Sequence, residues 1–198
     1  MPTGYESIYE YLVPQLAGVD FKEAAPRLGM ALQADGSVTL PLLGRMFRID
    51  CCSVTATDGQ PAHVNARSVL AYYALSQGAG QPAGRFSPLG RFANTIAGTV
   101  SAVNWMTDPL SRAYNGRPET LGRCIEALGG ECVGTHNGEL AWRLQALPKI
   151  PALVVYHAAD DEFPCEVEVQ YDEHAGRFLE FECLAFLNGC VVGALKST

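Results

Sequence analysis

Apolar residues in this chain change period along its length, and that change confines it to a small set of folds. Tyr5, Ile8, Leu12, Val13 and Leu16 recur at helical spacing up to Gly18. Asp20 with Glu23 three residues later is a helix start signal, so a second short helix is expected to run to Leu28 and stop at Gly29. From Ser37 to Asp50 the pattern moves toward alternation. Val38, Leu40 and Leu42 precede Leu43-Gly44, and Met46, Phe47 and Ile49 follow, which predicts a β-hairpin.

Helical spacing returns from Pro61 to Gln77, and Pro-led helices are expected at Asp108-Pro109 through Tyr114 and from Pro118 to Leu128. Short apolar runs at Glu131 to Val133, Glu139 to Leu144, Ala152 to His157 and Glu166 to Asp172 predict antiparallel strands. Phe181, Leu184, Leu187, Val191, Val192 and Leu195 then trace one face of a C-terminal helix, which Gly189 weakens. No strand-helix-strand unit recurs. The expected class is therefore α+β: an antiparallel sheet covered by helices, with N-terminal helices, a long central loop from Gln81 to Asn104 and a C-terminal helix. With 198 residues, 48% of them hydrophobic and 18% charged, the chain is expected to form a single domain over 1–198 with a sizeable core.

A net charge of -7 gives no general drive toward nucleic acid or anionic lipid. No uncharged run is apolar enough to cross a bilayer. The seven cysteines include no C-x-x-C pair, and no leader pattern opens the chain, so free thiols and a cytoplasmic location are expected. Most of the thiols are expected to be buried as small apolar groups, the adjacent Cys51-Cys52 included, with redox work as the alternative for that pair.

The motifs of nucleotide-binding, serine-hydrolase and zinc-protease sites are missing: Gly78-x-Gly80-x-x-x-Gly84 follows a helix and reads as a plain loop. Two constellations remain. Gly84-Arg85-Phe86 and Gly90-Arg91-Phe92 repeat a triplet in the central loop; two guanidinium groups on an acidic chain suit a carboxylate or phosphate, and the rings suit a planar ligand. The alternative is that both arginines pair with nearby acids while the rings cover the core. Asp160-Asp161-Glu162, with His157 three residues before, could bind a hard cation or supply a general base. Its alternative is a solvated turn with Phe163 plugged into the core and Pro164 fixing the backbone. His174, in Asp172-Glu173-His174-Ala175-Gly176, is expected on an exposed turn at a strand end.

The ordered set Thr39-Leu40-Pro41-Leu42-Leu43-Gly44-Arg45, Leu70-Ala71-Tyr72-Tyr73-Ala74-Leu75, Gln81-Pro82-Ala83-Gly84-Arg85-Phe86, Leu128-Gly129-Gly130, Leu147-Pro148-Lys149-Ile150-Pro151 and Asp161-Glu162-Phe163-Pro164 resembles the bacterial and archaeal family called domain of unknown function 3786. The resemblance covers roughly residues 8 to 196. It implies a loose association with corrinoid or one-carbon metabolism, because some relatives carry a further cysteine-rich domain similar to the iron-sulfur domain of corrinoid proteins. The expected function is a module that binds a small anionic or planar ligand through Arg85, Phe86, Arg91, Asp161 and Glu162, in a cleft between the central loop and the Asp160 to Cys165 turn. A small-substrate hydrolase or lyase using Asp160 to Glu162, and a protein-interaction module, are the two alternatives. The residues assign no cofactor and no metal. A small molecule and a second copy of the chain are the candidate partners, with nucleic acid and membrane set aside.

Overall fold

The computed structural model describes residues 4–93 and 109–197. Helix α1 (Gly4–Leu12) runs into a 3-10 turn (Val13–Gly18), and α2 (Phe21–Leu28) follows. The Asp20 side chain accepts the Lys22 N–H, and Gly29 closes α2 at φ 69°, a left-handed conformation that suits glycine. Helix α2 thus forms where one local side chain and a left-handed glycine satisfy its ends.

Four strands make a first antiparallel sheet in chain order: β1 (Ala31–Leu32), β2 (Val38–Leu42), β3 (Arg45–Ile49) and β4 (Val54–Ala56). The β2–β3 turn is the expected Leu43-Gly44, with φ of 51° and 77°. Gly44 also lies so close to the Leu128 carbonyl that a Cβ there would stand 2.7 Å from its oxygen. Leu43 donates its N–H to the Ala146 carbonyl, which docks the hairpin tip on the second sheet.

After α3 (Val64–Leu75), the segment expected to be loop contains a short strand, β5 (Phe86–Pro88), and a 3-10 turn (Leu89–Phe92). Residues 94–108, which include the end of that loop and Asp108, lie outside the described residues. A helical segment at 109–114, here α4, and α5 (Pro118–Ala127) lead to β6 (Glu131–His136), β7 (Glu139–Leu147), β8 (Ile150–His157) and β9 (Glu166–Asp172). The second sheet is antiparallel in the order β5-β9-β8-β7-β6, so the strands form two sheets, where one sheet and a separate hairpin were expected.

One continuous cluster of buried side chains, from Leu12 to Leu195, is shared by both sheets and the helices. On α6 (Phe181–Ser197), Leu184, Leu187, Val191 and Leu195 are all fully buried, as their stripe predicts. The helix runs beside α3 and reaches the second sheet through the Tyr171 hydroxyl, which donates to Asn188 Oδ1 at 3.1 Å. On the sheet's other face Ala141, Leu153 and Val155 form a small separate cluster under Phe86.

Buried tyrosines cross-link these layers. The Tyr73 hydroxyl donates to the Leu28 carbonyl at 2.6 Å and accepts the Lys149 N–H at 3.1 Å, tying the end of α2 to the β7–β8 turn. Tyr114 donates to the Leu195 carbonyl. Burial raises the pKa of Tyr73 and Tyr171, and that of Tyr114 to about 12. An unfolded tyrosine ionises near pH ~10. Stability from these three groups is therefore complete below that pH and is lost as the pH climbs through their folded values. In an alkaline titration their phenolate absorbance should emerge together with loss of far-ultraviolet circular dichroism, not before it.

Candidate functional site

An apolar concavity forms beside the β2–β3 hairpin where three elements meet without filling the space between them. The β2–β3 hairpin contributes Leu42, Leu43, Arg45 and Phe47; the start of α3 contributes His63, Asn65 and Ala66; Leu128 and the outer side of α6 close the rest. The cavity holds about 580 Å3, within the size range of small-molecule sites. Along α6 its wall is Gly189, Cys190, Gly193 and Ala194. Both glycines are exposed, and a Cβ on either would meet nothing within 4 Å.

The polar groups here are few and fixed. His63 caps α3 through Nδ1, which accepts the Asn65 N–H at 3.2 Å and leaves Nε2 to carry the proton in the neutral ring. Asn65 Oδ1 has no hydrogen-bond partner among the described residues. Arg45 is already committed: it grips Asp58 through Nε and one terminal nitrogen, each at 2.9 Å, and lies over the Phe47 ring at 5.3 Å. That bidentate pairing raises the Arg45 pKa and lowers that of Asp58. Leu43 holds left-handed backbone that asparagine would adopt with less strain, yet its side chain is buried as part of this wall. None of these residues stands out in the sequence. The readable signal is the Gly189-x-x-x-Gly193 pair, which costs a helix stability without a turn to justify it.

The five residues expected to form one cleft are not brought together. Arg85 and Phe86 sit where β5 pairs with the Asp172 end of β9, whereas Asp161 and Glu162 lie in the turn before Glu166 at its other end. Seven strand residues separate the two places by about 20 Å. Arg85 is ion-paired with Glu173, its guanidinium 2.7 Å from Oε2. Arg91 is exposed and has no partner among the described residues. The two rings diverge, Phe86 onto the small cluster and Phe92 onto the main core. Gly84 and Phe86 do border a second cavity, of about 530 Å3, with Glu131, Arg143 and Gln145.

Asp160, Asp161 and Glu162 are all exposed and border neither cavity. Asp160 Oδ1 accepts the N–H groups of Phe163 at 2.7 Å and Glu162 at 2.8 Å, and those bonds lower its pKa. His157 faces Glu139 on β7, 3.8 Å away, and not the acids. A solvated turn with its carboxylate spent on local backbone has no cleft in which to act as a base. Phe163 corrects the other expectation for this turn: it is 67% exposed, and Cys165 is the residue that enters the core.

The residue that organises the central loop is Asp172, whose position at a strand end gives no sign of this in the sequence. It is fully buried, and its carboxylate accepts the N–H groups of Ala83 at 2.9 Å, Gly84 at 2.7 Å and His174 at 2.9 Å. His174 Nδ1 lies 2.8 Å from the Gln81 carbonyl, so the half-buried ring fastens the same loop.

The cysteines divide differently from expectation. Cys124, Cys165 and Cys183 are buried and Cys190 is half-buried, but Cys51, Cys52 and Cys132 are exposed. Burial pushes the thiols of Cys183 and Cys190 up to about 11 and about 12. The hydrogen bond from Cys52 to Asp50 raises its thiol to about 11. A disulfide-exchange reagent should therefore modify Cys132 ahead of Cys52, leave the four covered thiols unmodified in the native state, and find all seven after denaturation.

A family model described as a domain of unknown function (DUF3786) matches residues 20–194. No curated protein and no solved structure matches the chain. Among the described residues no helix is long and apolar enough to cross a membrane.

Proposed function

From a chain that belongs to the DUF3786 family, whose description assigns no activity, we propose a small-molecule-binding module whose ligand occupies the cavity between the β2–β3 hairpin and α6. The observation that carries this reading is a cavity of about 580 Å3 with apolar walls and a few fixed polar groups, the ordinary composition of a ligand site. Because Asp58 already neutralises Arg45, the favoured ligand is planar and largely apolar rather than strongly anionic, with a hydrogen-bonding edge for His63 Nε2 and the Asn65 amide. Gly189 and Gly193 fit this role, since each forgoes about 0.5–1 kcal/mol of helix stability relative to alanine and keeps the wall open.

A second reading places a planar ligand in the cavity bordered by Gly84 and Phe86, where the lining cation is Arg143, already paired with Glu131. Arg85, Asp161 and Glu162 have no part in it.

A thermal-shift screen of nucleotides, organic acids, haem and corrinoids tests both. A ligand at 100 times its Kd adds about 2.7 kcal/mol, roughly 5–10 °C for a chain of this size. Gly193→Leu should abolish the shift while Phe86→Ala and Arg143→Ala retain it. The opposite pattern favours the second cavity, and silence across the whole screen overturns both readings. In the absence of ligand, Gly189→Ala and Gly193→Ala should each stabilise the fold, by about 0.5–1 kcal/mol in urea titrations.

A further inference from the structure

The hairpin loop between β3 and β4 carries a pair of thiols that packing does not explain. Ile49 and Val54 close the ladder, and Asp50 N donates to the Ser53 carbonyl at 3.1 Å, so Cys51 and Cys52 occupy the tip of a tight turn. Cysteine is among the most buried residue types, and a free one ordinarily fills space as a small apolar group. Here both are exposed, adjacent and outside the core cluster.

The turn also fixes a third donor beside them. Asp50 Oδ1 accepts the Cys52 N–H at 2.9 Å and lies 3.2 Å from Cys52 Sγ, while Oδ2 accepts the Ser53 hydroxyl at 2.8 Å. The carboxylate is thereby held in one orientation. One ligand atom from each of Asp50, Cys51 and Cys52 lies within 4.8 Å of the others, the one such group of three among the described residues. Two thiolates bound to one tetrahedral ion at ~2.3 Å stand about 3.8 Å apart, so side-chain rotation alone can close the site.

We propose that Asp50, Cys51 and Cys52 form a surface site for a soft divalent cation of the Zn2+ or Cd2+ class, held by two thiolates and one carboxylate oxygen. Two S–H bonds break and two metal–sulfur bonds form, and both protons pass to solvent, with no change of oxidation state. Thiolates select the soft ion over Mg2+ or Ca2+, which take oxygen ligands. Three protein ligands leave the fourth tetrahedral position to water or to an external donor, the pattern of an exchanging site rather than a closed structural one. None of the three ligands lines the ligand cavity, and the site is independent of the proposed function.

Titration of the reduced full chain with Cd2+ alone, followed by thiolate-to-metal charge-transfer absorption, tests the proposal. One ion per chain is expected, with the intensity of two thiolates. Cys51→Ser and Cys52→Ser should each weaken binding at least about 100-fold, and Asp50→Asn about 10-fold with the two-thiolate band retained. Cys132→Ser should change nothing. A band that survives in the Cys51→Ser/Cys52→Ser double variant, or that vanishes with Cys132→Ser, overturns the assignment. Cadmium-113 resonance of the unaltered chain reads the donor set without any variant: a shift for two sulfurs and oxygen supports the site, and one for four sulfurs or for oxygen alone refutes it.

Discussion

Asp172→Ala is expected to destabilise the fold by about 3–5 kcal/mol, among the largest losses available from one polar side chain. Three backbone N–H groups, of Ala83, Gly84 and His174, converge on this fully buried carboxylate. Alanine would leave them without this acceptor in a part-buried loop, at about 1–3 kcal/mol for each donor that water does not satisfy in its place. Asp172→Asn should recover only part of the loss, because its amide nitrogen turns one acceptor into a donor facing another donor. The damage should be local before it is global. Amide exchange at Ala83 and Gly84, and at the β5 residues paired with β9, should accelerate most, while α1 to α3 keep their protection. Urea titration measures the total, and a loss under 1 kcal/mol with unchanged exchange would show that the loop does not depend on this collar.

Leu187→Asp should leave little folded protein. Leu187 is fully buried on α6, in the stripe shared with Leu184, Val191 and Leu195. Truncating such a leucine to alanine costs about 2–5 kcal/mol, and a carboxylate adds the penalty of a buried charge with no partner on an apolar face. The total approaches the whole stability of an ordinary domain, about 5–15 kcal/mol. Circular dichroism and solubility after expression check it, with Leu187→Met as the volume-conserving control that should stay folded. If the stripe were a docking surface for a partner, Leu187→Asp would keep its melting temperature and lose only association. The burial of all four side chains argues against that arrangement.

How far each element could be read depended on where its determinants lie. The cap and stop of α2 are written within one turn of chain, as Asp20 to Lys22 and Gly29 to Ala25, and both are found as expected. The β2–β3 turn was legible from the apolar run broken at Leu43-Gly44, although leucine is not the residue that eases such a turn. β5 was not legible: Phe86-Ser87-Pro88 is too short to show a period, and its pairing depends on the loop held by Asp172, 88 residues from Gly84. The two Gly-Arg-Phe triplets read as one unit in the sequence. The fold sends their rings to different clusters and pairs only one of their arginines among the described residues.

By itself, then, the sequence determined the α+β class, most helix and strand positions and the buried stripe of α6, because periodicity and end signals act over a few residues. Tertiary structure alone decided which sheet each strand joined, and it assembled the candidate cavity from residues 42–47, 63–66, 128 and 189–197. It also decided exposure against composition, turning Phe163 and the Cys51-Cys52 pair outward. A side chain's residue type sets its average preference for burial, but a hairpin tip is buried only where another layer covers it. The second sheet covers Leu43 and nothing among the described residues covers Cys51-Cys52, and only the folded chain shows which.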